Sequence, residues 1–270
     1  MKLKHKNMEN QSKFLKVGNK IVKRQNLDGL NYELESGIVY KVDFDKWDDS
    51  MSLSITTSLS LPEKIYETDE DTRFINKVLN HFKETDSPTT GVLLEGTKGS
   101  GKTLTAKRLA INSNLPIISI GNGFPPYAFK KLFEAIGDDP VCIFFDELDK
   151  TAKDYDDSYL LKALDGADTS GKKLIIFTCN SARDINEYLK DRCSRIRYNK
   201  HYDKISDNTI NLLLEDRLID KTEKKNVFDF MVNNMKYLTY DNVISFIDEI
   251  NENPNDTFEE LFSDMNLTSK

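Results

Sequence analysis

The stretch "GTKGSGKT", from Gly96 to Thr103, decides the fold of this 270-residue chain. It follows the apolar run "GVLLE" at 91–95 and precedes the helical pattern "TLTAKRLAI" at 103–111. These residues fit the spacing G-x-x-x-x-G-K-[ST], and a strand before the motif with a helix after it is the context that the motif requires. The stretch therefore predicts a phosphate-binding loop between a buried strand and a helix.

The residue types in this loop suit a nucleoside triphosphate. Glycines let backbone N–H groups turn towards a phosphate with no Cβ in the way, and the start of the next helix adds positive charge. Lys102 can reach the β- and γ-phosphates, and Thr103 can ligate Mg²⁺. We expect the nucleotide to contact the loop and the first helical turn, at Gly96, Thr97, Lys98, Gly99, Ser100, Gly101, Lys102, Thr103 and Leu104.

Further short apolar runs follow the loop. They are "PIISI" (116–120), "VCIFF" (141–145) and "KLIIFT" (173–178), and "RIRYNK" (195–200) can supply one more strand. Apolar character without alternation is typical of strands that are buried on both faces. Because these runs alternate with helical stretches, the sequence predicts an α/β fold around a parallel sheet of five strands.

Polar residues stand at the ends of two of these strands. Asp146 and Glu147 come directly after "VCIFF", and Asn180 follows "KLIIFTC". Ligands bind beyond the carboxyl ends of strands in open α/β sheets. We expect Asp146 to hold the magnesium ion with Thr103, and Glu147 to orient or deprotonate an attacking water. Asn180 is a candidate for a hydrogen bond to that water or to the γ-phosphate, although taken by itself the residue is better explained as an asparagine that caps a turn.

The rest of the chain divides around this core. We expect a flexible basic tail at 1–29, a small β-hairpin module at 30–66, the P-loop core at 67–203 and a helical lid at 204–270. The hairpin is predicted by alternating apolar residues on either side of the turn-rich "DKWDDS". The lid is predicted by helical spacing after residue 204, where Ser206 can cap the first helix.

The motifs in this order resemble the AAA-type ATPases, and most of all the small AAA proteins encoded by bacteriophages. The resemblance rests on "GTKGSGKT", "IFFDE", "LLKALDG", "FTCN" and "DRCSR", and covers roughly residues 60–265. It implies ATP and Mg²⁺ as ligands, ATP hydrolysis at the contact between subunits, and a homo-oligomeric ring, often a hexamer, that remodels an unknown protein substrate.

The resemblance also implies roles for individual residues. Asn180 matches the sensor position of the family. Arg192 and Arg195 match the arginines that reach the γ-phosphate bound by the neighbouring subunit, and a guanidinium can bind two phosphate oxygens at once. By the same resemblance, the adenine base is flanked by the "PEKIY" segment, which includes Ile65 and Tyr66.

The sequence departs from the family pattern in three places. Cys193-Ser194 replaces the usual Pro-Gly between the finger arginines, and Ser181 replaces the usual arginine after the sensor asparagine. The pore-loop segment "GNGFPPYAF" at 121–129 is short, so Phe124 or Tyr127 could grip a substrate, or both could belong to the core. The lid segment at 239–241 offers no arginine, which favours protein remodelling over clamp loading.

Other functions stay open on these residues. The chain carries a net charge of -7, yet residues 1–25 hold eight Lys or Arg against the single acidic residue Glu9, which allows a nucleic-acid-dependent ATPase. A GTPase is disfavoured because "NKHYD" at 199–203 misplaces the aspartate of NKxD, and a kinase is disfavoured because the helices after residue 204 carry only Arg217 where an arginine-rich lid is expected. A nucleotide-binding protein without hydrolysis is disfavoured by the intact Glu147.

The expected location is the cytoplasm, or the host cytoplasm if a phage encodes the chain. The sequence has no apolar run long enough for a membrane helix and no secretion signal at its start. Its three cysteines show no CxxC spacing, which is typical of reduced thiols. We therefore expect no membrane partner.

Overall fold

The structure is a computed structural model of the chain. It describes residues 14–17, 20–23, 34–45, 47, 50–56, 59–66, 68–121, 124–148, 171–181 and 196–270. They belong to two compact units, Met1–Leu34 and Glu35–Lys270.

The first unit contains a short hairpin within the basic segment. Strand β1 (Phe14–Val17) pairs with β2 (Lys20–Lys23) in antiparallel fashion, with Phe14 opposite Lys23. This hairpin differs from the flexible tail that is expected from the basic composition of the segment.

The second unit is built around a seven-stranded sheet in the order β4-β3-β6-β7-β8-β5-β9. The strands are β3 (Val39–Asp45), β4 (Ser50–Thr56), β5 (Thr89–Gly96), β6 (Ile117–Ile120), β7 (Val141–Phe145), β8 (Lys173–Cys179) and β9 (Ile196–Tyr202). The five strands from β6 to β9 in this order are parallel to one another. This confirms the predicted parallel core, because every apolar run of the sequence is one of its strands.

The hairpin predicted before the core is present and extends the sheet. Its two strands, β3 and β4, are antiparallel, and β3 also pairs in parallel with β6, with Val39 opposite Ile117. The hairpin is therefore continuous with the core sheet, whereas the sequence analysis treated it as a module of its own. The boundary at residue 66 remains a proposal.

Helices cover the central strands. Helix α1 (Asp69–Glu84) begins after the cap Thr68, and its buried residues pack in one cluster with α2 (Lys102–Asn112) and the sheet. Helix α3 (Phe129–Ile136) contacts the sheet through Phe129, whose ring lies 5.6 Å from that of Phe145. Strands covered in this way can be apolar along their whole length, which explains the continuous runs in the sequence.

The chain ends in the predicted helical lid. It consists of α4 (Asp207–Arg217), a 3-10 turn (Lys221–Glu223), α5 (Lys224–Asn234), α6 (Tyr240–Glu252) and α7 (Phe258–Asp264). Ser206, Thr239 and Thr257 cap three of these helices, so the predicted cap at Ser206 is confirmed. Among the helices that the structure describes, none has both the length and the apolar character needed to cross a membrane.

Candidate active site

The predicted phosphate-binding loop connects β5 to α2 and depends on its glycines. Gly96, Gly99 and Gly101 have φ angles of 132°, 78° and 103°, in the region that residues with a side chain rarely adopt. A Cβ on Gly96 would lie 2.0 Å from the carbonyl oxygen of Tyr202 at the end of β9. The loop therefore needs glycine both for its backbone conformation and for its close contact with the neighbouring strand.

Lys102 lies at the first position of α2 with its side chain folded back over the loop. Its Nζ donates to the carbonyl oxygens of Gly96, at 2.8 Å, and Thr97, at 2.7 Å. The side chain is buried with 6 % exposure. A buried ammonium group at the start of a helix is well placed to meet a phosphate, since both the lysine charge and the helix N-terminus attract anions.

Three oxygen-bearing side chains meet beside the loop. Thr103 Oγ1 donates to Asp146 Oδ1 at 3.2 Å, and Thr178 Oγ1 donates to the same carboxylate oxygen at 2.7 Å. Hydroxyl and carboxylate oxygens are the ligands that Mg²⁺ prefers, and Mg²⁺ commonly binds one or two carboxylates together with substrate phosphates. The predicted pair of Thr103 and Asp146 is thus brought together and fits a magnesium ion.

Glu147 follows Asp146 in an unusual backbone conformation. Its φ is 56°, and its backbone N–H donates to Thr178 Oγ1 at 2.8 Å. Asn180 directly follows β8, the strand that pairs with β7. One cavity beside the loop is lined by Lys98, Gly99, Gly101, Lys102, Thr103, Leu104, Glu147, Thr178, Asn180 and Tyr240. Residues predicted for phosphate binding and for water activation therefore surround the same space.

A second cavity touches the other side of the loop and includes the predicted base-binding segment. Ile65 and Tyr66 line it together with Ser100, Gly101, Leu104 and the lid residues Ile205, Ser206 and Thr209. The Tyr66 hydroxyl donates to Asp216 of α4 at 2.5 Å. Burial, with help from the nearby Asp216 charge, raises the pKa of Tyr66. The segment before the core thus contacts the lid next to the loop.

The lid contacts the loop directly, a contact that the sequence does not predict. The backbone N–H of Tyr240 donates to the carbonyl oxygen of Gly99 at 3.0 Å, and a Cβ on Gly101 would lie 3.2 Å from the Tyr240 ring. Thr178 was also missed as a site residue. Its only signal in the sequence is a hydroxyl inside an apolar strand, two residues before Asn180.

The predicted finger arginines and the aromatic residues of the pore-loop segment lie away from these two cavities or outside the described residues. Arg192 and Arg195 lie outside the described residues. Phe124 is buried and packs edge-on against Phe44 and Phe129, with ring centroids 6.2 and 5.1 Å away. Of the open alternatives for the short pore-loop segment, Phe124 belongs to the core, while Tyr127 is 48 % exposed.

The fold and the loop define a P-loop nucleotide-hydrolase domain of the α/β class. Residues 92–201 match the model of the family described as "ATPase family associated with various cellular activities (AAA)". This part of the chain is therefore similar to AAA ATPase domains, and the similarity supports ATP hydrolysis as an activity.

Individual relatives also match this chain over part of its length. It is 29% identical over 147 residues to the "ATP-dependent zinc metalloprotease FTSH 7, chloroplastic" of Oryza sativa subsp. japonica, covering 46% of this chain and 18% of the relative. It is 31% identical over 122 residues to "Protein CdcH" of Halobacterium salinarum, covering 38% and 16%. The FtsH metalloprotease of Ureaplasma parvum serovar 3 is 32% identical over 118 residues, covering 37% and 16%. The matches span less than a fifth of each of these relatives.

Proposed function

We propose that the protein is an AAA-type motor that hydrolyses Mg-ATP, assembles into a ring and uses the energy to remodel a protein substrate. The observation that carries the proposal is the meeting of Thr103, Asp146 and Glu147 beside the phosphate-binding loop. The family match over residues 92–201 supports the same activity.

In the proposed reaction each side chain has one task. Lys102 and the N–H groups at the start of α2 bind the β- and γ-phosphates, and Thr103 and Asp146 hold the magnesium ion. The bound ion supplies positive charge that stabilises the charge developing on the phosphate oxygens. Glu147 orients the attacking water, and Asn180 hydrogen-bonds the water or the γ-phosphate.

The chemical step is then a simple displacement. The water oxygen bonds to the γ-phosphorus while the bond from that phosphorus to its bridging oxygen breaks. The water proton passes to the Glu147 carboxylate, and ADP and inorganic phosphate leave. Discrimination in favour of adenine would come from the cavity next to Ile65 and Tyr66.

The test of this proposal is the change Glu147→Gln, which removes the proton acceptor and keeps the shape. Loss of a general base lowers a rate by about 100-fold or more. We expect ATP turnover to fall by that amount while ATP affinity, measured with a fluorescent ATP analogue, stays within about threefold. The matched control is Glu134→Gln on α3, an exposed carboxylate 3.8 Å from Lys130. Normal turnover by the Glu147 variant would contradict the proposal.

The ring and the arginine finger form the finer part of the proposal. They rest on the family resemblance and on "DRCSR". If Arg192 acts on the neighbouring subunit, activity per subunit rises with protein concentration, and Arg192→Ala lowers turnover by about 100-fold or more at every concentration. Arg197→Ala, at an exposed position of β9, is the control. Flat activity upon dilution, together with a normal Arg192 variant, would refute Arg192 as the arginine finger, and a mass measurement at the same dilution would then show whether a ring persists.

A nucleic-acid-dependent ATPase is the second candidate, and the observation in its favour is the basic segment at 1–25. DNA would then stimulate ATP turnover in a salt-sensitive manner. Deleting residues 1–25 should abolish the stimulation and leave basal turnover intact. Absence of stimulation in the full chain removes this candidate. The substrate, the cytoplasmic location and a phage origin are likewise proposals.

A further inference from the structure

The hydroxyl of Thr178 joins the two acidic residues of the candidate site. Thr178 lies near the end of β8 and is buried, with 1 % exposure. Its Oγ1 lies 2.7 Å from Asp146 Oδ1 and 2.8 Å from the backbone nitrogen of Glu147. One buried oxygen atom therefore contacts both the side chain expected to hold the metal and the backbone of the residue expected to activate water.

The direction of both hydrogen bonds is fixed by their chemistry. An ionised carboxylate only accepts, and a backbone N–H only donates. The single proton of the Thr178 hydroxyl must therefore point to Asp146, and a lone pair must face Glu147. A hydroxyl can do both at once, whereas a methyl group in the same place can do neither.

The backbone of Glu147 needs this support more than an ordinary residue would. Its φ of 56° lies in the left-handed region, which is disfavoured for a residue with a Cβ. Such conformations persist when the surrounding structure holds them, and they cluster at functional sites. The bond from Glu147 N–H to Thr178 is one of the contacts that hold this conformation.

We propose that Thr178 is a positioning residue for ATP hydrolysis, which sets the orientation of Asp146 and Glu147 through one shared hydroxyl. It acts through the contacts that its hydroxyl makes with these two residues. The inference rests on the proposed function. It implies that loss of the hydroxyl slows turnover while ATP binding, which depends on the loop and Lys102, changes little.

The same sheet provides a matched control. Thr90 on β5 is also buried, with 1 % exposure, and within the described part of the chain its Oγ1 has no hydrogen-bond partner. Replacing either threonine with valine removes a hydroxyl and keeps the size of the side chain. Only the change at Thr178 breaks contacts with the acidic residues.

The experiment compares Thr178→Val, Thr178→Ser and Thr90→Val in the full chain, with kcat, KM for ATP and melting temperature measured for each. We expect Thr178→Val to lower kcat at least about tenfold, with KM within about threefold. We expect Thr178→Ser, which keeps the hydroxyl, to retain kcat within about threefold, and Thr90→Val to match the unmodified protein.

Several outcomes would overturn the inference. One is a normal kcat for Thr178→Val, and another is a loss that Thr178→Ser does not rescue. If the valine variant does not fold, Thr178→Ala is compared with Thr178→Ser, because both lack the methyl group and differ in the hydroxyl; equal kcat values would again overturn it. An unmodified protein without ATP turnover would instead refute the proposed function.

Discussion

Two buried lysines each donate hydrogen bonds to two backbone carbonyl groups, one at the carboxyl ends of the parallel strands and the other at their amino ends. Lys102 lies just beyond the carboxyl end of β5 and donates to two carbonyl oxygens, those of Gly96 and Thr97. Lys173 lies at the amino end of β8 and donates to the carbonyl oxygens of Gly137, at 3.0 Å, and Asp139, at 2.9 Å. Their exposures are 6 % and 0 %.

The difference between them lies in what surrounds the charge. The carbonyl partners of Lys173 belong to the turn that follows α3, and this turn is packed so closely that a Cβ on Gly171 would lie 2.1 Å from the Asp138 oxygen. Lys102, by contrast, borders the cavity that Glu147 and Asn180 also line. Lys102 and Lys173 are alike in burial and in hydrogen bonding, and they differ in access to this cavity. We propose that this access is what lets Lys102 bind a nucleotide.

The largest expected effect is the loss of ATP affinity upon replacement of Lys102, at the carboxyl ends of the strands. Under the proposed function, Lys102→Ala removes a charged partner of the nucleotide phosphates, which is worth about 3 kcal/mol, or about 100-fold in ATP affinity. We expect Mg-ATP to raise the melting temperature of the unmodified protein and to have no such effect on this variant. Without nucleotide, its stability should change by less than about 1 kcal/mol, because water in the cavity can replace the lost bonds.

A strong stabilisation of Lys102→Ala by Mg-ATP would contradict the comparison. So would a large loss of stability in the absence of nucleotide, because Lys102 would then be as structural as Lys173. Calorimetry with and without Mg-ATP measures both quantities in one series.

The sequence predicts the central strands well for a physical reason. Strands covered on both faces must be apolar throughout, and all five residues of "VCIFF" are buried in β7. The phosphate-binding loop is predictable because its glycine and lysine positions are set by local backbone chemistry. The P-loop and the paired acidic residues could therefore be located from sequence alone.

The features that the sequence did not predict depend on contacts between distant segments. Thr178 meets Asp146 because β7 and β8 pair with Phe145 opposite Phe177, and such a register is decided by tertiary packing. The hairpin pattern predicted two strands but could not indicate that β3 pairs with β6. Phe124 is buried because Phe44 of the hairpin covers it, so its role also depended on that pairing.

A smaller effect, a loss of stability, is expected upon replacement of Lys173 at the amino end of β8. Lys173→Met keeps much of the side-chain volume but leaves two buried carbonyl groups without their donor, which costs about 2 kcal/mol. We expect urea unfolding to show this loss and ATP affinity to stay within about threefold. The control is Lys172→Met, because Lys172 also donates to two carbonyl oxygens, those of Phe82 and Lys83, but is only half-buried. An equal loss in both variants would show that burial does not distinguish the two lysines.

Lys173→Met and the unmodified protein also allow a test of burial through the pH dependence of stability. Burial lowers the pKa of Lys173 below its usual value of 10.5, against the opposing effect of the Asp138 and Asp139 charges. Between the lowered pKa and 10.5 the unfolded chain binds more protons than the folded chain at this position, so stability rises with pH. We therefore compare urea unfolding at pH 7.5 and pH 9.5. The free energy of unfolding of the unmodified protein should increase relative to that of Lys173→Met as the pH rises. Because methionine does not titrate, a difference that stays constant or shrinks would mean that Lys173 is not held in a poorly solvated site.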